Sequence, residues 1–172
     1  MLSKTIETAL NNQIVLEGNS SNYYLAMASW AEVEGLNGAA EFLFAHSDEE
    51  RTHMIKLIRF INDRGGRAVV PSLSEPAPKF SSLTEVFDII LKHEVMVTSE
   101  INKVVDICLS EKDYTTYNFM QWYVAEQLEE ESLAKQYVDK LRLIGEDKGG
   151  MYLLDRDLAT AKAPQGGHGG KR

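Results

Sequence analysis

The stretch Asp48-Glu49-Glu50-Arg51-Thr52-His53-Met54 places a glutamate and a histidine three residues apart, at Glu50 and His53. On an α-helix this spacing puts both side chains on one face, where they can reach the same point. A carboxylate oxygen and an imidazole nitrogen suit a borderline divalent metal such as iron or zinc. Because Glu-x-x-His also occurs by chance in exposed helices, the interpretation depends on matching ligands elsewhere in the chain.

The chain on either side of this stretch has the periodicity of helices. All four prolines lie at positions 71, 76, 78 and 164, which leaves two long proline-free segments, about residues 3–64 and 81–148. Apolar residues recur in both segments at steps of three and four, without sustained alternation. The sequence therefore predicts an all-α protein.

The predicted helices are four long ones and a short fifth, arranged as a four-helix bundle. They run over about residues 3–36, 37–64, 82–111, 114–144 and 151–161. Ser82 and Glu85 predict a capping box at the start of the third helix, and Gly149-Gly150 predicts a break before the fifth. Residues 66–81 carry three prolines and form one long crossover, so the second and third helices run parallel. We expect residues 1–162 to form this domain and residues 163–172 to form a disordered, glycine-rich tail.

Each long helix carries polar residues in the middle of its apolar stripe. These residues are Glu17, Glu50, His53, Glu94, Gln127 and Glu130. Buried carboxylates are costly unless they are paired, protonated or bound to metal, and no lysine or arginine lies beside these residues on the stripes. Carboxylates that bridge two cations explain why one imidazole comes with several carboxylates.

The position of each of these residues along the bundle can be predicted by counting residues from the nearest turn between helices. Glu94 and Glu130 each lie about 18 residues from the turn between the third and fourth helices, which is roughly 27 Å. Glu17 and His53 differ in height by roughly 6 Å, so the first hairpin matches less closely.

Four further residues adjoin this set. Glu49, Glu126 and Glu129 flank the stripe residues, and a solvated acidic face is the alternative interpretation for them. Tyr24 follows Glu17 by seven residues on the same face. It is either a core tyrosine with a hydroxyl partner or a donor to the metal ligands.

Composition narrows the functional class and the compartment. The net charge of −8 disfavours a nucleic-acid partner, since phosphate contacts need a basic face. Cys108 is the single cysteine, which fits a reducing compartment. The start of the chain lacks a secretory signal, and no apolar run reaches the roughly 20 residues of a membrane span. We expect a cytoplasmic protein without a membrane partner.

With these residues in place, the chain resembles the bacterial non-haem ferritins to about residue 160. The resemblance is carried by Glu17, Tyr24, the segments Glu49-Glu50-Arg51-Thr52-His53-Met54 and Lys92-His93-Glu94, and Asn118-Phe119-Met120-Gln121-Trp122-Tyr123-Val124-Ala125-Glu126-Gln127. It implies a ferritin-like four-helix bundle with a di-iron centre. It also implies a homo-oligomeric shell of 24 subunits that oxidises Fe²⁺ with O₂ or H₂O₂ and stores ferric oxyhydroxide.

The resemblance further implies a role for each site residue. One iron would be held by Glu17, Glu50 and His53, and a second by Glu50 as a bridge, Glu94 and Glu130, with Gln127 close to it. A third iron would be held by Glu49, Glu126, Glu129 and Glu130. Tyr24 would be a redox-active tyrosine beside the centre.

Differences between this sequence and those of related families restrict the class of protein that it can belong to. A symmetric di-iron protein would repeat Glu-x-x-His on the fourth helix, where this chain has Gln127-x-x-Glu130. That difference, and Thr52 in place of a haem-ligating methionine, argue against a haem-containing bacterioferritin. The single cysteine excludes a Cys₄ iron module. A di-iron oxidoreductase without storage and a non-catalytic helical bundle remain as alternatives.

Overall fold

A computed structural model describes residues 1–161 of the chain, and it contains helices and no strands in that range. The helices are α1 (Lys4–Val33), α2 (Asn37–Asp63), α3 (Leu83–Ser110), α4 (Tyr114–Ile144) and α5 (Lys148–Leu158). The all-α prediction, the four long helices and the short fifth helix are therefore confirmed.

Helices α1 and α3 begin where the local sequence provides a serine cap. The Ser3 and Ser82 hydroxyls accept hydrogen bonds from the backbone N–H groups of Ile6 and Glu85. The Glu85 carboxylate accepts from the N–H of Ser81 and not from that of Ser82. The predicted capping box of α3 is thus present with its return bond displaced by one residue.

The fifth helix begins earlier than the sequence predicts. It was expected over residues 151–161 and spans Lys148–Leu158. The side chain of Asp147 accepts hydrogen bonds from the N–H groups of Gly149 and Gly150, which places both glycines in the first helical turn. Glycine therefore does not mark the break that was predicted there.

The core of the bundle consists of two apolar clusters with a polar layer between them. The first cluster contains the end of α1, the starts of α2 and α3, the end of α4 and part of α5. The second contains the start of α1, the ends of α2 and α3, and the start of α4. Since α2 and α3 begin in the same cluster, they run parallel, as predicted from the long crossover.

The crossover follows α1 along the length of the bundle. The Val69 N–H donates to the side chain of Asn11, and the Ser74 N–H donates to that of Asn19. Phe80 then packs against the first apolar cluster, where α3 begins. These contacts satisfy backbone groups of a segment that has no helical hydrogen bonds of its own.

Within residues 1–161, no helix combines the length and the apolar character that a membrane span requires. The glycine-rich tail predicted over residues 163–172 lies outside the described residues. The division of the chain into a domain and a tail therefore stays a prediction.

Candidate metal centre

The polar layer gathers most of the residues that the sequence predicts as ligands. All of the stripe residues are buried at this level, and so is one of the flanking glutamates. These residues are Glu17, Glu50, His53, Glu94, Glu126, Gln127 and Glu130. Four helices therefore contribute polar side chains to one layer inside the bundle.

One group of potential ligands joins the first helical hairpin. Single ligand atoms of Glu17, Glu50 and His53 all lie within 4.8 Å of one another. His53 Nδ1 is 3.7 Å from Glu17 Oε2 and 3.6 Å from Glu50 Oε2. The height difference expected between Glu17 and His53 does not keep the two side chains apart. Gln13 Nε2 donates to Glu17 Oε1 at 2.8 Å and orients that carboxylate.

Two donors orient the carboxylate of Glu94 on α3. Tyr24 Oη donates to Glu94 Oε1 at 2.9 Å, and Gln127 Nε2 donates to Glu94 Oε2 at 3.1 Å. Tyr24 is therefore a buried core tyrosine whose hydroxyl partner is one of the predicted ligands. Gln127 is placed to hold Glu94 in position whether or not it binds a metal itself.

Two further groups lie on the α2 and α4 side of the layer. One consists of His46, Glu49 and Glu130, and the other of Glu49, His53 and Glu126. In each group the ligand atoms lie within 4.8 Å of one another. Glu49 and His53 are each shared by two of the three groups, so they link the groups into one continuous cluster.

Glu129 is the predicted ligand that the structure does not bring into these groups. Its side chain is exposed on α4, and none of the three convergent groups within residues 1–161 includes it. Its charge is nevertheless close enough to contribute to the raised pKa of Glu49. A solvated acidic face describes Glu129 in this structure.

Burial makes the carboxylates of the cluster hold their protons. Desolvation raises the pKa of Glu50 and of Glu94, and neighbouring carboxylates raise both further. Desolvation together with Glu94 and Glu49 raises the pKa of Glu130 to about 9. Burial and neighbouring carboxylates likewise raise the pKa of Glu49 to about 7. A bound cation would displace these protons and remove the cost of burial.

His53 and Glu17 behave in the opposite way, because they pair. Burial lowers the pKa of His53, but Glu17 and Glu50 outweigh it and raise the pKa to about 11. Burial raises the pKa of Glu17, but His53 outweighs it and leaves the pKa lowered. For His46, burial and the charge of His53 outweigh the backbone oxygen of Phe42 and lower the pKa to about 4. The two buried imidazoles therefore carry different charges at neutral pH.

Three residues of this layer have no role predicted from the sequence. Gln13 orients Glu17, and Tyr123 Oη donates to the backbone oxygen of His53 at 2.8 Å. His46 lies one helical turn before Glu50 on α2 and enters one of the convergent groups. The available signal was helical spacing, since Gln13 and His46 each precede a predicted ligand by four residues.

Taken together, the fold and the cluster define a four-helix bundle with one long crossover and a buried histidine and carboxylate centre suited to metal ions. The family model described as the ferritin-like domain matches residues 7–144. The chain belongs to this ferritin family, and the resemblance predicted from the sequence is confirmed.

Named relatives cover nearly the whole chain. It is 45% identical over 160 residues to a probable bacterial non-haem ferritin-like protein of Haemophilus influenzae, spanning 93% of this chain and 97% of the relative. It is 45% identical over 156 residues to the bacterial non-haem ferritin of Campylobacter jejuni, spanning 91% and 93% respectively. An open pore ferritin from Archaeoglobus fulgidus superposes with a TM-score of 0.92 at 41% identity, covering 94% of this chain and all of that one.

Proposed function

We propose that this chain is an iron-storage subunit with ferroxidase activity. It oxidises Fe²⁺ to Fe³⁺ with O₂ or H₂O₂ and deposits ferric oxyhydroxide inside a closed shell. Membership of the ferritin family supports storage of iron. The observation that carries the oxidation step is the convergence of Glu17, Glu50 and His53 in a buried layer that Glu94 and Glu130 share.

Each iron takes its ligands from this layer. Glu17, Glu50 and His53 hold the first iron. Glu50 bridges to the second, which Glu94 and Glu130 complete with Gln127 beside them. A third position is formed from Glu49, Glu126, Glu129 and Glu130, for which Glu129 must turn inward from its exposed position.

The charges of these side chains favour oxidation. Carboxylate oxygens are hard ligands that stabilise Fe³⁺ over Fe²⁺, and their negative charge is more effective in a buried layer than in water. Each Fe²⁺ gives one electron to the oxidant, and protons leave Glu50, Glu94 and Glu130 as the metal binds. Tyr24 keeps Glu94 in position. We also assign Tyr24 the role of a redox-active tyrosine beside the centre, which gives one further electron to the same oxidant.

Storage further requires assembly, and we propose a homo-oligomeric shell of 24 subunits in the cytoplasm. Large apolar side chains are exposed on several helices of the single chain, among them Val33, Leu128, Leu143 and Tyr152. Apolar surfaces of this kind are covered when subunits associate. Acidic residues that face the interior of the shell would nucleate the mineral.

One experiment tests oxidation and storage together. Fe²⁺ is added anaerobically to the metal-free protein, air is admitted, and ultraviolet absorbance and particle size are followed. Fast oxidation with continued iron uptake into a large particle supports the proposal. An oxidation rate equal to that in buffer, or a particle of one or two subunits, overturns it.

A second candidate function is oxidation of a small substrate at a di-iron centre without storage. One observation favours it: a cavity of about 310 Å³ lies between α1, α3 and the crossover, lined by Tyr24, Phe80 and His93 among others. None of the predicted metal ligands is among the residues that line this cavity, and Tyr24, which lines it, is hydrogen-bonded to Glu94. Oxidation that stops at about two irons per chain would favour this second function.

A further inference from the structure

His46 is a buried histidine whose ring has one satisfied nitrogen and one free nitrogen. Nδ1 lies 2.8 Å from the backbone oxygen of Phe42, which can only accept, so Nδ1 carries the proton. The lone pair of the neutral ring is therefore on Nε2. Nε2 has no hydrogen-bond partner within residues 1–161, although the side chain is only 2% exposed.

The free nitrogen points at two carboxylates. His46 Nε2 lies 3.9 Å from Glu130 Oε2, which is too long for a hydrogen bond. The ligand atoms of His46, Glu49 and Glu130 lie within 4.8 Å of one another. Glu49 Oε2 is also buried without a hydrogen-bond partner among the described residues. At this separation even a protonated Glu130 does not donate to Nε2, and buried polar atoms left without a hydrogen bond are unfavourable unless a cation lies between them.

The surroundings hold His46 in this orientation. Its ring packs against Phe42 at 4.0 Å between centroids and against Tyr24 at 5.4 Å. An imidazole that donates one N–H to a backbone carbonyl and presents its other nitrogen is the usual arrangement of a metal-ligating histidine. The geometry around His46 is therefore ready for a cation without a change of rotamer.

We propose that His46, Glu49 and Glu130 form a cation site, with His46 Nε2 as its nitrogen ligand. One imidazole and two carboxylates suit a borderline divalent ion such as Zn²⁺ or Fe²⁺. The site shares Glu49 and Glu130 with the third iron position proposed above. It differs by taking the nitrogen of His46 in place of Glu126 and the exposed Glu129. It concerns binding alone, so it holds whether or not the chain oxidises iron.

One shared ligand connects this site to the proposed iron centre. Glu130 belongs both to the second iron position and to the His46 site. A cation can therefore pass between the two positions by exchanging one ligand at a time, with Glu130 bound throughout. His46 then serves as the ligand that receives or supplies the ion on the Glu49 side of the layer.

Redox-inert Zn²⁺ tests the site apart from any oxidation. The assembled, metal-free protein is titrated with Zn²⁺ by calorimetry as wild type, His46→Gln and His93→Gln. His93 is the matched control, because it is a half-buried histidine bonded to Ser20 outside the three convergent groups. The wild type and His93→Gln are expected to bind one more Zn²⁺ per chain than His46→Gln.

Crystals of the wild-type protein soaked in ZnCl₂ provide a readout that does not depend on the variants folding. Anomalous scattering is expected to place Zn²⁺ about 2.0–2.1 Å from His46 Nε2. Equal Zn²⁺ stoichiometry in the three proteins, or crystals with Zn²⁺ elsewhere in the layer and none bonded to Nε2, overturns the proposal. Zn²⁺ on His46 in a protein that does not accelerate Fe²⁺ oxidation would leave this site standing and overturn the ferroxidase proposal alone.

Discussion

Tyr24 on α1 and Glu94 on α3 are joined across the bundle by a hydrogen bond of 2.9 Å from Oη to Oε1. Both side chains are almost wholly buried. The phenol is thus held in the layer by a carboxylate that we propose as an iron ligand. Its own proton is hard to remove, because burial and the neighbouring carboxylates raise the pKa of Tyr24.

Removing this hydroxyl should slow oxidation without unfolding the protein. In Tyr24→Phe the Glu94 carboxylate loses one donor, and a hydrogen bond to a charged group contributes about 1.5 kcal/mol or more. We expect the initial rate of Fe²⁺ oxidation to fall about tenfold, measured by stopped-flow absorbance. Tyr23→Phe, on the adjacent tyrosine, is the control, and an unchanged rate in Tyr24→Phe would remove Tyr24 from the mechanism.

Removing the bridging carboxylate should have a larger effect. Glu50→Ala is expected to abolish rapid oxidation, because both proposed iron positions depend on that side chain. The fold should be retained, since the substitution removes a buried carboxylate that is costly without metal. Glu100→Ala is the control, because Glu100 is a carboxylate on α3 that pairs with Lys103 near the surface. Fast formation of a diferric species in Glu50→Ala would contradict the bridging role.

The docking of α5 depends on the absence of a side chain at Gly38. A Cβ on Gly38 would lie 1.7 Å from the backbone oxygen of Asp155, whose carboxylate also accepts from the Ala39 N–H at 2.8 Å. Gly38→Ala should therefore displace α5 and lower the free energy of unfolding by about 2 kcal/mol. Thermal unfolding measures this change. Gly149→Ala is the control, because its Cβ meets nothing closer than 3.6 Å.

The sequence predicted the fold and most of the layer because both follow from helical spacing. A polar residue in the middle of an apolar stripe must lie at the middle of a bundle, so Glu17, Glu50, Glu94 and Glu130 could be placed from sequence alone. Glu129 could not, because its helical position is adjacent to that of Glu130 and only packing decides which side chain is buried.

Two other differences between the sequence-based prediction and the structure have local causes. Gln13 and His46 act through hydrogen bonds and lone pairs, and spacing alone does not say which way an amide or a ring nitrogen points. The start of α5 was misplaced because the two glycines were interpreted as a break. The side chain of Asp147 supplies acceptors for both of their N–H groups, and this outweighs the low helix propensity of glycine.

The protons held by the buried layer make the stability of the metal-free protein depend on pH. Glu130 has a pKa of about 9 when folded against 4.5 for an unfolded glutamate, so the folded state binds the extra proton. Its contribution is fully present below the unfolded pKa and is lost as the pH rises through about 9. The contribution of Glu49 to stability is likewise lost as the pH rises to about 7. The contribution of His53, whose pKa is raised to about 11, is lost progressively as the pH rises above 6.5.

His46 and Lys56 oppose this fall in stability with pH, but both act outside the window from pH 6.5 to 8. His46, with its pKa lowered to about 4, favours the folded state as the pH rises, but only up to its unfolded value of 6.5. Lys56, with its pKa lowered to about 8, does so above that pH. Between pH 6.5 and 8 the remaining groups act together, and each linked proton contributes about 1.4 kcal/mol per pH unit.

Thermal unfolding of the metal-free protein, with a chelator present, should therefore occur at lower temperature as the pH rises from 6.5 to 8. In Glu130→Gln the amide has no proton to lose, so the decrease should be smaller and the variant should be the more stable protein at pH 8. Glu100→Gln, which changes a surface carboxylate, should keep the wild-type slope. A wild-type stability that does not fall over this window would mean that the layer is hydrated enough to ionise, and the same carboxylates would then bind iron without releasing protons.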